Sequence, residues 1–232
     1  ETIRMTLLSG GTIQEGNMNF RKSDLLNYRQ LWWLDKFLVG HKGYIAGGCF
    51  KNIFNGEPVK DLDIFFENNQ DFIEAQRYYK QLIKEKPNDW KFSYENKNCW
   101  SIYSIKDKVR LELIRNTYGN PKQVISNFDF TITKFAYYKN YDNLDEDDYM
   151  AVFEVIFHED FFEHLHTKRL VVDNALPYPV STFNRMLRYA KYGYQPCRET
   201  KIRVVTELAT LDPKDQKDFE EQLGKSLYEG MD

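Results

Sequence analysis

Apolar positions change period several times along the chain, and each change marks a predicted element. Leu25, Leu26, Leu31, Trp32, Leu34, Phe37 and Leu38 recur at helical spacing as far as Gly40, behind an N-cap at Ser23-Asp24, so a helix is predicted there. Tyr44-Ile45-Ala46 reads as a strand ending in a tight Gly47-Gly48 turn. A short helix over 49–54 is then broken by Asn55-Gly56-Glu57-Pro58, and a strand follows at 62–66. The pattern predicts a helix over 71–86, closed by Pro87. Strand-like runs follow at 90–94, 100–105 and 109–114, separated by the turn-rich Glu95-Asn96-Lys97-Asn98 and Lys106-Asp107-Lys108. Pro121 starts a short helix, and 128–138 is apolar and β-branched enough for a strand or a strand-to-helix switch.

Acidic residues cluster over 139–148, which reads as a solvated loop, since the positions lack the alternating register and central Gly of a calcium loop. Beyond it the period is helical, over 161–170, 181–194, 201–211 and 213–227. The expected organisation is therefore an N-terminal lead-in (1–22), a mixed α/β head (23–138) and a helical C-terminal segment (139–232). The expected fold class is α/β (α+β), a small mixed, mainly antiparallel sheet flanked by helices and followed by a helical segment.

Composition narrows this picture. Hydrophobic residues make up 42% of the 232, too many for a disordered chain, and no apolar run approaches the roughly 20 residues of a membrane span. A net charge of −3 excludes a protein that holds nucleic acid by bulk positive charge, though not one with a local basic patch. Aromatic residues reach 16%, which fits an aromatic core and leaves open that some rings stack on bases. Cys49, Cys99 and Cys197 are odd in number and lack CxxC spacing, so no disulfide framework is expected. With no visible targeting segment, that usage points to a reducing, cytoplasmic compartment.

The candidate chemistry lies around the first strand pair. Asp61 and Asp63, two apart on a strand, point to the same side of a sheet. Carboxylates held that close repel one another unless a cation lies between them, and Mg²⁺ with hard oxygen ligands is the natural partner. Gly47-Gly48 leaves room for a phosphate chain to approach the backbone, with a helix N-terminus behind it. Glu112 alternates with apolar neighbours in Val109-Arg110-Leu111-Glu112-Leu113-Ile114. It is either a solvent-facing strand residue or, if its strand lies beside that of Asp61 and Asp63, a third metal-side carboxylate.

Other polar groups carry less. His158, His164 and His166 lie near Glu159, Asp160 and Glu163 without converging as metal ligands do, and read as structural or surface residues. Trp32 and Trp33 are adjacent on a predicted helix, so only one can face the core squarely. Ser9 and Ser23 have no base beside them in sequence, and nucleophilic catalysis by serine is not supported.

The stretch from Gly47-Gly48 through Lys51-Asn52, Gly56, Pro58 and Lys60 to Asp61-Leu62-Asp63-Ile64 resembles the signature of the DNA polymerase β nucleotidyltransferase superfamily. It is most similar to that of the class II CCA-adding enzymes and bacterial poly(A) polymerases. Phe128-Asp129-Phe130-Thr131-Ile132 resembles the family's Arg-Arg-Asp-Phe-Thr motif, whose Asp helps bind the nucleotide ribose. Arg185-Met186-Leu187-Arg188 resembles the helix whose arginines face the incoming nucleotide. The resemblance covers 43–138 well and 181–194 loosely. It departs from the family at Lys51-Asn52 (Arg-Asp in the family), at Asn127-Phe128 (Arg-Arg) and at Ser181-Thr182 (Glu-Asp, used there in base reading).

The resemblance implies a metal-dependent nucleotidyltransferase that moves a nucleoside monophosphate from a nucleoside triphosphate to an acceptor hydroxyl and releases pyrophosphate. Asp61, Asp63 and Glu112 would be catalytic and would bind two Mg²⁺, and Gly47, Gly48, Lys51, Asp129, Arg185 and Arg188 would bind the nucleotide. The implied acceptor is an RNA 3′ end, plausibly tRNA, although fewer than 40 residues follow Tyr194 to grip it. The alternatives are nucleotidylation of a protein or small molecule, and a non-catalytic superfamily member acting as an interaction protein.

Overall fold

Alternation of buried and exposed side chains along short runs builds one large sheet. The computed structural model describes residues 12–14, 19–24, 28–140 and 152–211, and the chain divides into two units: 1–128 with 133–159, and 129–132 with 160–232.

Nine strands of the first unit hydrogen-bond in the order β1 (Thr12–Gln14), β2 (Asn19–Asp24), β9 (Val152–His158), β8 (Phe135–Asn140), β3 (Tyr44–Ala46), β4 (Asp61–Phe66), β7 (Val109–Tyr118), β6 (Cys99–Ser104) and β5 (Trp90–Glu95). All neighbours pair antiparallel except β4 and β7, which are parallel. A parallel pair needs a long crossover. Here it runs through α2 (Asn69–Glu85) and the β5–β6 hairpin.

One face of the sheet carries Leu62, Ile64 and Phe66 of β4 with Leu111 and Leu113 of β7, all buried. Against it lie α2, through Phe72, Ala75 and Tyr79, and a 3-10 helix over Arg29–Phe37, through Leu31, Leu34 and Phe37. Asn68 caps α2 by accepting from the Asp71 N–H at 3.0 Å. The opposite face carries a second core of Tyr44, Ala46, Phe65, Ala136 and Ile156, covered by Val124 and Ile125 of α3 (Pro121–Ser126). α3 begins with a capping box between Asn120 and Gln123 behind Pro121.

Three sequence expectations change. Ser23 and Asp24 do not cap a helix but end β2. Leu25 and Leu26 lie outside the described residues, and Arg29–Phe37 winds as a 3-10 helix, because Leu31, Leu34 and Phe37 recur every third residue and that helix has three residues per turn. Trp33 stands edge-on to Phe37 while Trp32 stays 48% exposed. The sheet unit also extends beyond 23–138: β1 and β2 enter it from the lead-in, and β9 supplies Val155, Ile156 and Phe157 to its interior. The stretch 128–138 resolves into a 3-10 turn over Thr131–Thr133 and then β8. The acidic run over 141–148 and the helix expected over 213–227 lie outside the described residues.

The second unit is mainly helical. α4 (Phe161–His166), α5 (Pro179–Lys191) and α6 (Arg198–Ala209) accompany a short parallel pair, β10 (Arg169–Leu170) with β11 (Gln195–Pro196). Phe130 bridges to Val172 and packs its ring against Tyr189. No helix among the described residues is long and apolar enough to cross a membrane.

Candidate functional site

A strand, a glycine turn and a short helix bring the chain back into the sheet at the acidic strand. After β3, Gly47 takes φ +104, a left-handed conformation that disfavours a side chain, while its N–H donates to the Phe135 carbonyl at 3.0 Å. Gly48 caps α1 (Cys49–Asn55), and Gly56 at φ +68 ends it. A Cβ placed on Gly47 would lie 3.7 Å from Asp63 Oδ2, so the glycine turn and this carboxylate are neighbours.

The parallel register sets Asp63 directly opposite Glu112, and Asp61 opposite Arg110. Residues opposed in a sheet share a face, so β4 and β7 present Asp61, Asp63, Arg110 and Glu112 together. The strand adjacency that Glu112 needed is therefore present. The electrostatic consequence falls on Asp63. Its carboxyl is pushed up to about 7, first by burial and then by the negative charges of Glu112 and Asp61. Burial and the charge of Asp63 also raise the neighbouring Cys49 thiol.

Two residues not singled out in the sequence hold the outer carboxylates. Arg110 Nη1 donates to Asp61 Oδ1 at 3.1 Å. The Tyr94 hydroxyl donates a short hydrogen bond to Glu112 Oε1. The Arg110 guanidinium stands over the Tyr94 ring, 5.5 Å from its centroid, and among the described residues the buried Arg110 Nε has no hydrogen-bond partner. Ser101, opposite both Tyr94 and Glu112 in the sheet, likewise has a buried hydroxyl without a partner among the described residues. Arg110 could have been found from Arg110-x-Glu112, a spacing that puts both on one strand face. Tyr94 could not, because the β5–β6 register shifts between Phe92 and Tyr94.

Among the described residues, no three His, Cys, Asp or Glu side chains are already gathered as ligands around one point. Three hard carboxylates on one face, with Asp63 held against two like charges, suit a divalent cation in donor type and in charge. Asp61 would meet it by turning from Arg110, and Glu112 through the carboxylate oxygen that Tyr94 does not hold.

The remaining expected contacts are placed as follows. Lys51 is buried, and its Nζ is 2.7 Å from Glu57 Oε2, so its ammonium is turned to that carboxylate. Asn52 Nδ2 donates to the Pro58 carbonyl at 2.8 Å, fixing the bend before β4. In the helical unit, Asp129 and Arg185 are brought together: Asp129 Oδ2 accepts from Arg185 Nε at 2.8 Å, Arg185 Nη2 at 2.6 Å and Thr182 Oγ1 at 2.9 Å. Arg188 is exposed on α5. His164 is buried, with Nδ1 2.8 Å from Thr131 Oγ1, and His158 is buried with its ring edge-on to Phe20, in keeping with structural roles.

Comparison with known proteins yields a family and a fold. A family model described as "Gabija anti-defense 2 family protein" matches residues 24–168. A relative named "Gabija anti-defense 2", from Bacillus phage SPbetaL7, is 22% identical over 188 residues, covering 81% of this chain and 42% of the relative. Among solved structures, a CCA-adding enzyme in complex with CTP superposes with a TM-score of 0.60 at 18% identity, over 88% of this chain and 51% of the enzyme. An apo form of a CCA-adding enzyme gives 0.55 at 17% identity, over 81% and 46%. The chain thus spans about half the length of these relatives and shares the fold of the matched part of the CCA-adding enzymes.

Proposed function

The chain belongs to the Gabija anti-defense 2 family, and from the fold it shares with CCA-adding enzymes and the acidic face of its sheet we propose that it is a metal-dependent nucleotidyltransferase. It would move a nucleoside monophosphate from a nucleoside triphosphate to an acceptor hydroxyl. One observation carries the reading: the parallel register sets Glu112 against Asp63, which lies beside a glycine turn, with Asp61 on the same face. That cluster is short of positive charge, and a divalent cation bridging to a polyphosphate would supply it.

In this reading Asp61 and Asp63 hold two Mg²⁺. Mg²⁺ supplies activation of the attacking hydroxyl and charge stabilisation at the leaving phosphate oxygen. Glu112, anchored through Oε1 by Tyr94, completes the ligand set or accepts the acceptor's proton. The Gly47 turn lets a phosphate approach the backbone without a side chain in the way. Lys51 would reach a phosphate only by leaving Glu57. Asp129, Arg185 and Arg188 would serve as the nucleotide-binding groups of the helical unit.

For the acceptor, the likeness to CCA-adding enzymes supports an RNA 3′ end, with tRNA the first substrate to try. The family description favours a second reading, nucleotidylation of a protein. Attaching a charged nucleotide to a component of the defence accounts for an anti-defence role more directly than tRNA repair does.

The test is incubation of the purified chain with each α-labelled nucleoside triphosphate, Mg²⁺, total RNA and lysate from cells carrying the Gabija defence. Label on RNA supports the first acceptor and label on a protein band the second. No label from any of the four nucleotides, with pyrophosphate release also absent, refutes nucleotidyl transfer.

A further inference from the structure

The acidic face carries a cation of its own. Arg110 lies two residues before Glu112 on β7 and so reaches the same face, where it pairs with Asp61 at 3.1 Å. That pair is loosely held. Both side chains are well exposed, 38% and 46%, and exposed ion pairs of this kind contribute little. Of the five donors on the guanidinium, one meets a protein acceptor among the described residues, and Nε is buried without a partner. The head is kept close by the Tyr94 ring rather than by further hydrogen bonds, and Tyr94 in turn anchors Glu112. Arg110 neutralises only Asp61. Asp63 and Glu112 still face one another with no counter-charge among the described residues.

We propose that Arg110 is a positioning residue with two stations. It rests on Asp61 while no divalent cation is present, leaves Asp61 when one binds, and then engages a phosphate of the nucleoside triphosphate. The inference rests on the metal-dependent reading given above. Its chemistry follows from the guanidinium. A divalent cation on Asp61 repels Arg110 and takes its acceptor. The planar fork, with most of its donors unspent, then matches phosphate oxygens bidentately. Arg110 is therefore a built-in competitor of the metal and an ally of the substrate, so its removal changes the two affinities in opposite directions. A residue that merely supported the fold would not do so.

The experiment uses the full chain. Mn²⁺ binding is followed by electron paramagnetic resonance without nucleotide, and binding of a non-hydrolysable triphosphate analogue is followed by calorimetry at saturating Mn²⁺. Arg110→Gln is expected to bind Mn²⁺ about 3- to 10-fold more tightly and the analogue about 10-fold more weakly. Arg110→Lys should recover part of the analogue affinity, and circular dichroism checks that both variants fold. Unchanged or weaker Mn²⁺ binding by Arg110→Gln, or unchanged analogue binding, overturns the two-station role. The metal reading survives that result as long as the wild type binds Mn²⁺ and Asp63→Asn does not. A wild type that binds no Mn²⁺ overturns both.

Discussion

Replacing Asp63 by Asn should stabilise the metal-free protein at neutral and alkaline pH. The Asp63 carboxyl is raised from 3.8 to about 7 by burial and by the charges of Glu112 and Asp61. In the native state it therefore holds its proton across a range in which the unfolded chain has lost it. With more protons bound in the folded state, stability falls as pH rises from about 4 to about 7, and the loss is complete above that. A rise of roughly three pH units sets a ceiling of about 4 kcal/mol. Asp63 as a residue is only partly buried, and relaxation around a charged carboxylate lowers the cost, so about 1–3 kcal/mol is expected. For a chain of this size that corresponds to a melting shift of roughly 3–10 °C. The assay is thermal unfolding of wild type and Asp63→Asn in EDTA at half-unit steps from pH 4 to 8. The two curves should meet near pH 4, where a protonated Asp resembles Asn, and separate steadily, with the variant more stable at pH 8. A difference that stays flat with pH, or a variant less stable at pH 8, refutes the claim that Asp63 is held against uncompensated negative charge.

Three further perturbations probe the same geometry. Tyr94→Phe removes the donor on Glu112 Oε1 and should lower turnover about 10-fold or more with little change in triphosphate KM, read from initial rates. Gly47→Ala forces a side chain onto φ +104 beside Asp63 and should destabilise by about 1–3 kcal/mol, read from urea unfolding. Leu34→Ala opens a cavity beneath the 3-10 helix and should cost about 2–5 kcal/mol in the same assay while leaving divalent-cation affinity unchanged.

The sequence was most legible where local chemistry decides structure. Tyr44–Ala46, the Gly47-Gly48 turn, α1 and β4 follow one another within about 20 residues, and each is signalled by its own apolar run, glycine or turn cluster. Asp61 and Asp63 could be placed on one face from alternation alone. Glu112 needed a fact that no local pattern carries, the parallel pairing of β4 with β7 across the whole of α2 and a hairpin. The misread segments have physical reasons. Leu31, Leu34 and Phe37 fit a helical period closely enough to conceal a three-residue one. β9 is interrupted by Glu154 and ends in His158, and its consecutive Val155, Ile156 and Phe157 are all buried, so it shows no alternation. Tyr94 reaches Glu112 through a register shift that no sequence pattern signals.

In the proposed site Asp61, Asp63 and Glu112 together hold divalent cation against a polyphosphate. Crystals grown with Mn²⁺ and a non-hydrolysable nucleoside triphosphate, measured at the manganese absorption edge, test it most directly. Anomalous density is expected within about 2.2 Å of oxygens of Asp61 and Asp63, with triphosphate along the Gly47 turn and Arg110 turned away from Asp61. Nucleotide bound elsewhere, or an anomalous map empty at these carboxylates with Arg110 still paired to Asp61, would contradict it.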